Sequence, residues 1–308
     1  MMETLQITQK VVEYYQDYSS WLEGQGRSAN TIQAYMQDLS RFIAYYELVN
    51  EQGFTPTLIN SIDLRGWRAH SLEIEKVSPA TWNRRRVSIG VFCQWAEEEG
   101  IINYDPSAEL QGARQQQLPP RWLKNSDFSR FMRMVEQLVN AAKTQPAHRM
   151  ALRDQAMVML MTYAGLRVEE LCALELGDVL LSERKGKVTV RHGKGDKKRE
   201  IPLNSEVRRA LKQWLLVHPG GEPAIFVGKH GERMTARGVQ RRISDIGTMA
   251  GLQDISPHCL RHTFAKRQVD AGVPLTVVSQ LLGHSRLETT ARYCQPGWED
   301  FEKAVERI

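Results

Sequence analysis

Cysteine is scarce and dispersed. The chain of 308 residues has four, Cys93, Cys172, Cys259 and Cys294, with no CxxC pair and no disulfide-like spacing. That pattern argues against a disulfide scaffold and fits a reducing compartment. Long apolar runs are missing as well: no stretch approaches the roughly 18 residues a membrane-spanning helix needs. The opening METLQITQKVVEYY has no basic segment followed by an apolar core, so no secretory signal is read. There is no internal repeat and no low-complexity tract. Together these absences lead to the expectation of a soluble, cytoplasmic protein.

What the chain does have is apolar residues at 42% of the total, enough for well-packed cores, and a net charge of +5. The charge is uneven. Residues 1–120 hold 10 Lys/Arg against 15 Asp/Glu, and residues 121–308 hold 31 against 21. The surplus of cations belongs to the second part of the chain, and a polyanionic partner is expected there.

The first hundred residues read as four helices forming a compact bundle. In SANTIQAYMQDLSRFIAYYE the apolar positions Ile32, Tyr35, Met36, Leu39, Phe42, Ile43 and Tyr46 recur at helical spacing behind the N-cap candidate Ser28. Val11, Val12, Tyr15 and Trp21 suggest a preceding helix, and another covers Ile62 to Leu72. Ser78-Pro79 opens a further helix that closes at Gly100. The Gln-rich DPSAELQGARQQQLPPR marks a boundary, so the expected division is a helical domain over 1–108, a linker over 109–122 and a second domain over 123–308.

The second domain is mixed. Helices are expected over Asn125–Leu138, His148–Ala164, Ser205–Leu216, Thr235–Ala250, His258–Ala271, Pro274–Leu282, Thr289–Tyr293 and Trp298–Arg307. The β runs KVTVRH and KREIPL flank Gly193-Lys194-Gly195-Asp196, a hairpin signal because glycine supplies the positive φ a tight reversal needs. The fold class is thus mainly α with a small β-sheet.

Four places stand out chemically: YAGLRVEEL with Arg167 and Glu170; the hairpin lysine Lys194; ISPHCLRHTFA with His258, Arg261 and His262; and LLGHSRLETTARYCQP with His284 and Tyr293. Each taken singly also suits an ordinary polar surface or core role. A zinc site is disfavoured: His258 and His262 stand four apart, but the glutamate of HExxH is missing and Arg261 is a cation beside the would-be metal. No metal and no cofactor are expected.

In this order and spacing, with His258 to Arg261, 23 residues on to His284 and 9 more to Tyr293, the four places resemble the tyrosine recombinase (phage integrase) family, the Xer type especially. The resemblance extends to SANTIQAYMQDLSRF and so covers nearly the whole chain. It implies an N-terminal helical core-binding (SAM-like) domain and a C-terminal mixed α/β catalytic domain. It also implies a site-specific recombinase that cuts and rejoins DNA through a 3′-phosphotyrosine, in integration, excision or resolution. The weighed alternatives are a type IB topoisomerase-like relaxing enzyme and a catalytically silent DNA-binding accessory protein. The residues carried over are Arg167 and Arg261 as phosphate clamp, Lys194 as general acid (Lys197 and Lys198 its rivals), His258 as base, His284 as a further donor and Tyr293 as nucleophile, with Glu170 and His262 supporting. Nearby positive charge is expected to lower the pKa of Tyr293.

Expected partners are double-stranded DNA with inverted-repeat sites and other recombinase protomers, two per site and four in the synapse, either copies of this chain or a paired paralogue. A tail stripe of Trp298, Phe301 and Val305 is expected to pack on a neighbour. The absence of an arm-binding module favours a simple Xer-like system. Within the acidic first domain, Arg84-Arg85-Arg86 is the candidate DNA contact.

Overall fold

The structure is a computed structural model. It describes the backbone of residues 2–115, 120–191, 198–284, 286–294 and 305–306, and the side chains of those from residue 12 onward. Internal contacts divide the chain into two units, Met1–Gln117 and Leu118–Ile308.

The first unit is built from α1 (Met2–Gly24), α2 (Ala29–Asn50), α3 (Ser61–Ala69) and α4 (Pro79–Glu98), with one π-helical turn, His70–Ile74, continuing α3. Local chemistry sets the helix starts. The Ser28 hydroxyl accepts from Thr31 N at 3.2 Å, Asn60 and Asp63 form a reciprocal capping box, and Ser78 precedes Pro79 at the first helical position. The core is aromatic: Tyr18, Phe42, Phe54, Trp67, Trp82, Phe92 and Trp95 are all buried, and Trp67 meets Trp82 nearly edge-on at 5.5 Å. Beyond α4 the chain stays attached. Leu110 is buried, Trp82 Nε1 donates to the Gln111 carbonyl, and the Asn83 side chain both donates to and accepts from the backbone of Ala113.

The second unit is centred on α6 (Gln145–Tyr163), where Ala151–Leu152 and Ala156–Met161 are all buried apolar residues. A helix apolar on every side belongs in the middle of a core. Around it pack α5 (Asn125–Ala141), α8 (Ser205–Leu216) and α10 (Pro257–Asp270), with α7 (Val168–Ala173) and α9 (Ala236–Met249) completing the layer. The antiparallel sheet runs β1-β2-β3 (Val179–Leu181, Gly186–Val190, Arg199–Pro202). Its register pairs Val179 with Val188 and Val190 with Arg199. Strand β1 and helix α7 are additions to the sequence reading; at three and six residues they are too short for hydrophobic periodicity to reveal. Next come α11 (Leu275–Leu282) and α12 (Glu288–Ala291), then a 3-10 turn over Arg292–Cys294. The hairpin tip with Lys194 lies outside the described residues. So does the expected tail helix, apart from Val305 and Glu306. Among the described residues no helix is long and apolar enough to cross a membrane.

Gly165 joins packing to the site. It adopts φ +64°, and a Cβ there would stand 2.4 Å from the Phe264 ring. Gly165→Ala should therefore cost about 1–2 kcal/mol for the left-handed backbone and about 1–3 kcal/mol for overpacking. A clear fall in melting temperature is expected, whereas Gly24→Ala, with nothing within 4 Å of the added methyl, should leave it unchanged. Equal melting temperatures for the two variants would remove the steric account of this turn.

Candidate active site

The site begins at a helix start. Arg167 is the N-cap of α7 and Glu170 stands three residues on, the spacing of a capping box. Glu170 accepts from the Arg167 backbone N at 2.8 Å and from its Nη1 at 2.7 Å. A second arginine comes from the sheet: Arg199, on β3, donates Nη1 and Nη2 to the two Glu170 oxygens at 2.9 and 2.7 Å. The third, Arg261 on α10, approaches the same carboxylate at 3.8 Å. One buried carboxylate thus sits among three guanidinium groups.

The same arginines converge on the end of α11. Gly283 is left-handed at φ +63°, Gly283 N donates to Gln280 O and His284 N donates to Ser279 O, both at 3.0 Å. This is the Schellman pattern, which satisfies the carbonyls further back and leaves the last ones open. Each of those takes one arginine: Leu281 O accepts from Arg199 Nε at 3.1 Å, Leu282 O from Arg261 Nη2 at 2.5 Å, and Gly283 O from Arg167 Nη2 at 3.3 Å. Arg261 Nη1 also reaches Gly165 O, just past the end of α6, at 2.5 Å. Two helix C-termini, negative ends of their dipoles, therefore point at the cationic cluster.

His284 directly follows Gly283, and its Nδ1 lies 2.8 Å from the hydroxyl of buried Thr290. Tyr293 is 2% exposed and shares a small apolar cluster with Phe264, Ala265, Val278 and Leu282. Its hydroxyl lies 2.5 Å from His262 Nδ1. His258, expected as the base, is exposed one turn earlier on α10, its ring 6.2 Å from that of His262. The residue in contact with the tyrosine oxygen is therefore His262. Spacing alone did not separate the two histidines, because both lie on the same stripe of α10.

Burial governs the electrostatics. It would raise the carboxyl pKa of Glu170, but the hydrogen bonds and charge of Arg199, joined by Arg167, outweigh it and hold the group at about 2. Burial, reinforced by Arg167, pulls Arg261 down to about 9. Burial likewise holds His262 and His284 at about 4, helped by His258 and Arg261 in the first case and by Arg261 and Arg167 in the second. For Tyr293 the sequence expectation is corrected. Burial raises its pKa, and the opposing charges of Arg261, Arg292 and Arg167 do not outweigh it.

Arg167, Glu170, Arg261, His262, His284 and Tyr293 are thus brought together, and Arg199 joins them unannounced by the sequence reading. Its only signal was its place on the strand that leaves the hairpin. The Arg84-Arg85-Arg86 run is split by its surroundings. Arg85 is buried, donating to Ser71 at 2.9 Å and Glu75 at 2.5 Å, with its guanidinium 5.9 Å from the Trp67 ring centre. Arg84 pairs with buried Asp38, and exposed Arg86 donates to Leu110 O.

A tyrosine hydroxyl on a neutral imidazole, beside guanidinium groups fixed by one carboxylate, has the makings of phosphoryl transfer to a protein nucleophile. Comparison with known proteins carries this further. Residues 132–298 match the phage integrase family and residues 13–100 match the phage integrase N-terminal SAM-like domain. The tyrosine recombinase XerC of Corynebacterium efficiens is 38% identical over 271 residues, covering 87% of this chain and 81% of that protein. XerC of Corynebacterium glutamicum is 34% identical over 271 residues, covering 87% and 82%. The XerH site-specific recombinase bound to its palindromic difH substrate, in a post-cleavage complex, has a similar fold, with TM-score 0.74 at 21% identity over 93% of this chain and 84% of that one. The chain belongs to the phage integrase family, as a Xer-like tyrosine recombinase. It is an enzyme of site-specific recombination that cuts and rejoins DNA through a tyrosine intermediate.

The half-buried imidazoles set a pH dependence. Folding favours the neutral form of His262 and His284, so their contribution to stability is complete above the ordinary value of 6.5 and is lost as the pH falls through 6.5 to about 4. Glu170 acts lower, its contribution being lost as the pH falls from 4.5 to about 2. The urea midpoint of the full chain should decline between pH 6.5 and 4, and His262→Gln or His284→Gln should each flatten that decline. An unchanged slope in the double variant would contradict the half-buried neutral imidazoles.

Proposed function

We propose that Tyr293 Oη attacks the scissile phosphorus while Arg167 and Arg261 grip the non-bridging oxygens and His284 donates a further hydrogen bond. The new bond joins the tyrosine oxygen to phosphorus, the bond to the 5′-oxygen breaks, and a 3′-phosphotyrosine and a free 5′-hydroxyl result. The observation that carries this reading is the 2.5 Å contact between Tyr293 and His262 beside arginines ordered by Glu170. Arginine suits the task because it stays protonated and offers a fork matching phosphate oxygens. Each preorganised donor contributes about 3–4 kcal/mol to the transition state.

Tyr293 gives its proton to an imidazole. The 2.5 Å contact favours His262 as the first acceptor, with exposed His258 meeting the incoming phosphodiester. The phosphate's negative charge raises the basicity of the His262 ring when DNA arrives. The leaving 5′-oxygen takes a proton from Lys194. The substrate is a duplex with inverted half-sites, bound by two protomers per site and four in the synapse, as copies of this chain or with a paired paralogue. Arg84 and Arg86 contact the backbone of that duplex, and the tail from Trp298 packs on the next protomer.

Tyr293→Phe should bind a half-site as the wild type does and form no covalent adduct on denaturing gels. An adduct from this variant would relocate the nucleophile.

Lys194→Ala should slow cleavage by about 100-fold or more, within the range for loss of a general acid. On a substrate with sulfur in place of the 5′-bridging oxygen most of the defect should vanish, because a thiolate leaves without protonation. If Lys197→Ala or Lys198→Ala shows that rescue instead, the acid is one of those residues.

A further inference from the structure

We infer that Arg199 is a positioning residue of the phosphate clamp: it acts through Glu170 and the end of α11 to fix where Arg167, Arg261 and His284 stand. The inference rests on the reading that Arg167 and Arg261 grip the scissile phosphate. Arg199 lies on β3 with its side chain 12% exposed. Its three guanidinium nitrogens all have acceptors within the protein: Nη1 and Nη2 on the two Glu170 oxygens at 2.9 and 2.7 Å, and Nε on Leu281 O at 3.1 Å. A fork placed this way holds the carboxylate and the end of α11 in register.

What it holds is central. Glu170 Oε1 shares its lone pairs between Arg199 Nη1 and Arg167 Nη1, and Oε2 between Arg199 Nη2 and the Arg167 backbone. Leu281 immediately precedes Leu282 and Gly283, whose carbonyls take Arg261 and Arg167. Without Arg199 the carboxylate loses two of its donors and is free to rotate toward Arg167 or Arg261, drawing one of them off the phosphate. The fit is close. A Cβ at Gly283 would stand 2.9 Å from Arg199 Nη1 and 3.1 Å from Cζ, so the glycine provides both the left-handed turn and the room for the guanidinium. Charge alone does not reproduce this: a lysine at 199 keeps the cation and loses the planar three-point contact.

The test compares covalent cleavage of two half-site substrates. One carries an ordinary scissile phosphodiester. In the other a methyl group replaces one non-bridging oxygen, removing the negative charge that the clamp exists to neutralise. Arg199→Ala should cleave the ordinary substrate about 100-fold more slowly, the scale expected when catalytic groups shift by about 1 Å. KM should be little changed, and most of the defect should disappear on the uncharged substrate. Arg199→Lys should behave like the alanine variant, and Gly283→Ala should reproduce the pattern from the other side of the contact. Equal defects on both substrates would reduce Arg199 to a general stability role, and full rescue by lysine would show that charge, not positioning, is what it supplies. Arg167→Ala and Arg261→Ala run alongside: if they too show no relief on the uncharged substrate, the clamp assignment itself fails. If they show relief and Arg199→Ala does not, only the inference about Arg199 fails.

Discussion

One carboxylate organises the catalytic unit. Glu170 is 5% exposed and meets Arg167, Arg199 and Arg261, which come from three different elements: the start of α7, strand β3 and helix α10. Packed side by side, three guanidinium groups repel one another. The carboxylate and the three successive carbonyls of Leu281, Leu282 and Gly283 make that arrangement tolerable. Removing one partner of such a buried pair typically costs about 3–5 kcal/mol, because the remaining charges lose their compensation. The placement of α7, β3, α10 and α11 is therefore tied to the ion cluster as much as to the apolar core beneath it.

The cluster is deliberately incomplete in charge. Three arginines face one carboxylate, and the two adjoining histidines are held neutral by burial. Arg261 is pulled down to about 9 by its burial and by the neighbouring Arg167. In the proposed mechanism a scissile phosphodiester supplies the missing negative charge. Tyr293 is in a complementary condition: buried among Phe264, Val278 and Leu282, its ionisation disfavoured, and tethered to His262.

Much of this was legible in the sequence, for physical reasons. The helices of the first unit followed from apolar periodicity and from Ser28 and Ser78 as caps, since those signals are local. Arg167 and Glu170 stood out together in YAGLRVEEL because they lie three residues apart, within one helical turn. Arg199 was not: its partners lie 29 and 82 residues away, and no local pattern encodes that meeting. The choice between His258 and His262 also depended on tertiary position, because only the packing of the 3-10 turn against α10 brings Tyr293 to one of them. The Arg84-Arg85-Arg86 run read as one cationic feature, yet successive helical residues point in different directions, so Arg85 is buried against Glu75 while Arg86 is exposed. Strand β1 escaped notice because three residues carry no measurable alternation.

The most direct measurement of the central claim uses Glu170→Gln, which keeps the shape of the side chain and removes its charge. Half-site binding and covalent cleavage would be measured on the same preparation, with melting followed to confirm folding. The account predicts binding within a few-fold of wild type and cleavage reduced by about 100-fold, the scale of a misplaced catalytic group. Cleavage at the wild-type rate by a folded Glu170→Gln protein would contradict it.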